Sequence, residues 1–154
     1  MRAKFLTIIV ATTALVSACS EANINSPSTD IVVKTPVQAK TMQARTKAVL
    51  VYADWCGSCK VLDPKIKTVK AMGDIAGLEY VTLDYTNKMS NDFFAQAEAS
   101  NIGVAVKAYF PDGKIKTGQL LLVDIDDQKV IGKVTKSLEA PEIVTALKDA
   151  VAAS

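Results

Sequence analysis

The sequence predicts an α/β domain with a mixed central sheet flanked by helices. Three observations carry that expectation. A short apolar, β-branched run, Ala48-Val49-Leu50-Val51-Tyr52, leads through a pair of cysteines two residues apart into a helical pattern. A second alternating run at 78–85 follows two glycines, as a strand follows a finished helix. Finally, the runs 120–124 and 129–134 flank the polar Asp126-Asp127-Gln128 as a hairpin and lead to an amphipathic terminal segment.

The 154-residue length suits one domain and one core. At 49% apolar and 22% charged residues, the composition excludes disordered, collagenous and disulfide-dense classes. The formal charge is only +2, and losing Arg2 and Lys4 with a leader would leave sixteen bases against sixteen acids. No basic run remains to grip phosphates, so no nucleic-acid partner is expected.

The chain opens as an exported protein does. Arg2 and Lys4 form a positive start, and residues 5–16 are apolar apart from threonines, a stretch too short to span a bilayer. Val16-Ser17-Ala18-Cys19 then resembles the bacterial lipobox, with Val16 where leucine is usual. On this reading residues 1–18 are a lipoprotein signal peptide and Cys19 carries the lipid. The alternative is an ordinary signal peptide cut after Ala18. Acylation explains more, because it leaves only two free thiols in an exported chain. Several acyl chains would anchor it stably, each buried methylene contributing about 0.8 kcal/mol. Residues 19–29, rich in small polar residues and containing Pro27, read as a tether reaching on the order of 15–20 Å.

The domain is expected over 30–154. Residues 30–34 could add a strand and 37–46 a short helix, with Pro36 between them. The continuous run at 48–52 has the character of a strand buried on both faces. From 58 to 72 the apolar residues Val61, Leu62, Ile66, Val69 and Met72 mark one helical face, which Gly73 and Gly77 end. Residues 91–100 and 102–109 read as helices before the turn Pro111-Asp112-Gly113. A closing helix is expected over 140–151, with Pro141 in its first turn and Ile143, Val144, Leu147 and Val151 on one face.

Cys56 and Cys59 stand where the buried strand gives way to the helix. A thiol there meets unpaired amide N–H groups and the positive end of the helix dipole, which favour thiolate over thiol. Cys59, one turn further in, can attack a mixed disulfide formed at Cys56 and release the reduced partner. Gly57 keeps the approach open, and Trp55 can wall one side. Other uses compete less well. A zinc half-site needs two further ligands, but the chain has no histidine and its other cysteine is the lipidation candidate, so no metal is expected. A purely structural disulfide closing so small a loop stabilises little. A copper-handling pair is weakened by the same lack of histidine.

The segment Val49-Leu50-Val51-Tyr52-Ala53-Asp54-Trp55-Cys56-Gly57-Ser58-Cys59-Lys60 resembles the active-site segment of the thioredoxin-like superfamily. Pro64 matches the proline of that family's active-site helix. The likeness is specific over 47–86 and coherent over 119–149. It implies a thioredoxin-like fold, Cys56 as exposed nucleophile and Cys59 as buried resolving thiol. The family's substrate-facing cis-proline is replaced by Gly118, followed by Gln119, if Leu120-Leu121-Leu122-Val123 is the matching strand. Aligning on Tyr109-Phe110 would put Ala105 there instead. The Leu-rich run makes the better core strand, and it implies a helix and loop insertion around 100–117. Glycine can still bring backbone close to a partner. The family's buried acid falls at Leu50 and its lysine near Thr82, so deprotonation of Cys59 is left to water, Asp54 or Lys60. Ser58 stands where reducing thioredoxins carry proline.

The expected function is a membrane-anchored thiol–disulfide oxidoreductase, a reductase or exchanger needing no cofactor. It would act on disulfides of envelope proteins in the periplasm and draw on an upstream thiol donor. Ser20 lacks the aspartate that retains many lipoproteins at the inner membrane, which favours the outer one. The alternative is a thioredoxin-like binding module or Cu(I) and thiol chaperone with little turnover. A disulfide-inserting oxidant fits less well, since such members of the class usually carry histidine beside the second cysteine.

Overall fold

The computed structural model describes residues 44–154. The signal segment, Cys19, the tether and the strand expected at 30–34 lie outside the described residues. So does most of the helix expected at 37–46. Its last residues are not helical: Ala44 and Arg45 are irregular, and Thr46 already opens the first strand. The Arg45 and Thr46 N–H groups both donate to Gly77 O at 3.2 Å, which draws this stretch toward the sheet.

Eight elements follow in the order β1 (Thr46–Tyr52), α1 (Gly57–Ala71), β2 (Leu78–Asp84), α2 (Ser90–Ala99), α3 (Gly103–Tyr109), β3 (Gln119–Asp124), β4 (Lys129–Thr135) and α4 (Ala140–Ala153). The strands form one mixed sheet in the order β2-β1-β3-β4. β1 runs parallel to β2, with Leu50 opposite Thr82, and antiparallel to β3, with Val51 opposite Gln119. β3 and β4 form the expected hairpin, with a bulge between Leu122 and Val123.

The middles of the central strands, Ala48–Val51 and Leu120–Val123, are apolar because helices cover both of their faces. On one side Leu50, Leu120 and Leu122 meet Leu62 and Ile66 of α1 and Leu147 of α4. On the other, Val49, Val51 and Leu121 meet Phe93 of α2 and Val106 of α3. Burying each such side chain contributes roughly 1.5–3 kcal/mol, so the sheet's centre is its most resistant part. This fixes β1 rigidly and with it the position of the residues that follow.

The face of α1 differs from the expected one. Cys59, Leu62, Ile66 and Val69 are buried, whereas Val61 and Met72 are exposed. At about 100° per residue, both lie roughly a quarter-turn or more from the line through the buried four. Cys59 therefore belongs to the core-facing stripe. α4 starts at a capping box between Glu139 and Glu142, with proline in its first turn as expected. Among the described residues, no helix is long and apolar enough to cross a membrane.

Candidate active site: a disulfide at the start of the first helix

β1 delivers the chain to a tight turn in which Cys56 N–H donates to Ala53 O at 3.2 Å. Cys56 is the N-cap of α1, with extended backbone, and its Sγ accepts the Cys59 N–H at 3.1 Å. A side chain in this position satisfies one of the free amides at the helix start. In the reduced protein the same N–H would favour negative charge on Sγ, as would the helix dipole.

Cys56 and Cys59 are joined as a disulfide, with Cα atoms 5.3 Å apart. Cys59 is fully buried and Cys56 retains 6% exposure, so Cys56 is the one of the two that solvent still touches. The Cys59 sulfur lies 3.7 Å from Val51 O, which a reduced thiol could reach as donor. Val51 O also accepts the Gly118 N–H at 2.8 Å. One carbonyl thus ties the end of β1 to both the buried sulfur and the start of β3.

Gly118 takes φ +79°, and a Cβ placed on it would lie 2.5 Å from Ser58 Cβ and 3.1 Å from Cys56 Sγ. The glycine is required twice over, for the backbone angle and for the space. Proline could not replace it in this conformation, because its φ is fixed near −65° and it has no N–H for Val51 O. The Gln119 side chain is largely buried on the α3 side, where it donates to Lys116 O at 2.9 Å and accepts from Tyr109 Oη at 3.4 Å. Ala105, the other candidate for this place, lies within α3 in the cluster around Phe93.

Trp55 stands beside the disulfide at 47% exposure. Its Nε1 donates to Thr86 O at 3.0 Å, its ring meets Tyr85 edge-on, and the Lys88 ammonium lies 5.0 Å from the ring centroid. The Asp54 N–H donates to Thr86 Oγ1 at 3.1 Å, and Thr86 in turn donates through N and Oγ1 to Asp84 Oδ1. Asp84, Tyr85 and Thr86 were not among the sequence candidates. Their signal was an Asp two residues before a Thr at a strand end, the pattern of an Asx turn.

The remaining candidates are placed less centrally. Asp54 and Lys60 are both exposed, while Cys59 is sealed from solvent. Pro64 lies within α1 on its exposed side, and its missing N–H leaves the Lys60 carbonyl without a helical partner. Leu50 and Thr82, where the family places its acid and lysine, are paired across β1 and β2. They border a cavity of about 160 Å³ that also meets the Asp63–Lys67 ion pair and Tyr80. Among the described residues, no three His, Cys, Asp or Glu side chains are grouped to hold a metal ion.

The family model for thioredoxin matches residues 17–99, more than half of the chain. The chain belongs to the thioredoxin family. Solved structures similar to it include Trxlp from Edwardsiella tarda EIB202, at 16% identity over 70% of this chain and 85% of that one, with a TM-score of 0.43. Thioredoxin from Fasciola hepatica is similar at 15% identity over 70% and 83%, again with a TM-score of 0.43. No curated protein matches the chain. A thioredoxin domain carrying this cysteine pair supports thiol–disulfide oxidoreductase activity in general terms.

Proposed function

We propose that this thioredoxin-family protein is a membrane-anchored reductase or exchanger of disulfides in periplasmic or envelope proteins. The observation that carries the reading is the asymmetry of the pair: Cys56 keeps some exposure at the helix N-cap, and Cys59 is buried behind it. In the reduced protein, Cys56 thiolate attacks one sulfur of a substrate disulfide. An S–S bond forms to Cys56 and the substrate's other sulfur leaves as thiolate. Cys59, after losing its proton, attacks Cys56 Sγ, restores the internal disulfide and releases the substrate's second thiolate. The substrate gains two electrons and, on protonation, two protons. A dithiol donor must then reduce Cys56–Cys59 for another cycle.

Envelope location rests on the leader and on Val16-Ser17-Ala18-Cys19, with a lipid on Cys19. Ser20 after the lipidated residue favours the outer membrane. The test is insulin reduction by the purified full chain with a dithiol as donor. Turnover that disappears in Cys56→Ser supports the proposal. Absence of turnover, or turnover indifferent to Cys56→Ser, overturns it.

A further inference from the structure

A cavity of about 340 Å³ opens between the loop that follows α3 and the strands β3 and β4. Gln119, the residue after that glycine, forms part of its lining with Tyr109 and Phe110, and Lys114, Lys116 and Lys133 also line it. All three lysines are exposed, and among the described residues none of them is in an ion pair. One acid, Asp112, shares the lining, which leaves a local excess of positive charge on a protein that is otherwise nearly balanced. The lysines come from two places, the loop between α3 and β3 and the edge strand β4, so the charge is spread and not focused on one point.

We propose that this cavity engages an acidic segment of a protein substrate whose disulfide lies over Gly118 and Cys56. The inference rests on the reductase reading above and names the substrate class of that same site. Gly118 touches the disulfide's surroundings, and Gln119, the very next residue, lines the cavity from the α3 side of the sheet, where its side chain meets Tyr109. A substrate chain that lies over the disulfide and crosses the start of β3 would carry a carboxylate a few residues from its cysteine to the lysines. Spread, exposed ammonium groups bind a single carboxylate weakly in water. Several acids on one polypeptide are attracted together and are steered to the site, raising the rate of encounter. That argument selects an acidic polypeptide over a small anionic disulfide. At the reacting centre the chemistry is unchanged: one substrate S–S bond breaks, one Cys56–Cys59 bond forms, and two electrons pass to the substrate.

The test uses the reduced full chain and two disulfide-linked peptides identical except for three glutamates or three glutamines beside the cysteine. Neutral 2-hydroxyethyl disulfide and glutathione disulfide complete the set. The expected result is that the acidic peptide is reduced about tenfold faster than the neutral one at low salt. The advantage should vanish at high salt and in the combined Lys114→Gln, Lys116→Gln, Lys133→Gln variant, whose rate with 2-hydroxyethyl disulfide stays unchanged. Equal rates for the two peptides overturn the inference, as does a preference that survives in the variant. So does a salt-dependent preference confined to glutathione disulfide. Reduction of 2-hydroxyethyl disulfide without peptide discrimination overturns this inference alone, whereas failure to reduce any probe overturns the reductase reading with it.

Discussion

Gly118 faces Cys56 so closely that a single added carbon on the glycine would stand 3.1 Å from the cysteine sulfur. The relationship is held by the Gly118 N–H to Val51 O bond at 2.8 Å and by a φ of +79°. The backbone beside the disulfide is thus placed by a different device from the proline implied by the family resemblance. A glycine in the left-handed region brings its own N–H to the end of β1.

Gly118→Ala should therefore cost about 1–3 kcal/mol, from positive φ and from the collision with Ser58. Gly118→Pro should cost more, since it also removes the bond to Val51 O. Urea midpoints of the full chain check both. Neither variant should match the wild-type rate of insulin reduction.

Thr86→Val keeps the shape of the side chain but removes its bonds to Asp54 N and Asp84 Oδ1. The expected loss is about 1 kcal/mol, because the site is exposed and water replaces part of what is lost. Trp55 is the chain's single tryptophan, so its emission reports on the site directly. Loosening of its loop should shift that emission to longer wavelength.

The legible part of the fold was the part with strong local signals. The doubly buried run at 48–52, the hairpin and the proline-started last helix all stand as expected. The face of α1 was misread because Val61 and Met72 are apolar yet lie off its buried line. At the site, the adjacent pair and Gly118 were visible in sequence, the first by spacing and the second by alignment of the Leu-rich strand. The Thr86 brace and the lysine-lined cavity were not, since each joins residues far apart in the chain or split between a loop and a strand. Local periodicity carries no record of such meetings.

Leu50→Asp would place an acid at the family's position, in a cavity lined by Ile66 and Leu120 and also by Asp63, Lys67 and Lys70. A carboxylate there should destabilise the fold by about 3 kcal/mol at neutral pH. Burial raises the folded pKa of such a group, so the folded state takes up a proton more readily than the unfolded chain. The penalty should accordingly shrink as pH falls toward 4, which urea titrations at two pH values will show.

Tyr80 has a buried hydroxyl that finds no hydrogen-bond partner among the described residues. Its burial, with Asp74 nearby, raises its pKa above the ordinary tyrosine value of 10.0. The folded state then keeps this proton longer than the unfolded chain, so stability is full below about pH 10 and declines as pH rises further. Tyr80→Phe should be neutral or stabilising by up to about 1 kcal/mol near pH 7. It should also lose less stability than wild type between pH 9 and about 11, read from thermal midpoints.

The central claim is that Cys56 attacks and Cys59 resolves, and trapping measures it most directly. The reduced full-length Cys59→Ser protein, mixed with a disulfide peptide, should accumulate one equivalent of mixed disulfide at Cys56, identified by mass of the cleaved fragments. The reduced Cys56→Ser protein should accumulate almost none at Cys59, because that sulfur is buried. Equal trapping by the two variants, or trapping through Cys59 alone, would contradict the account.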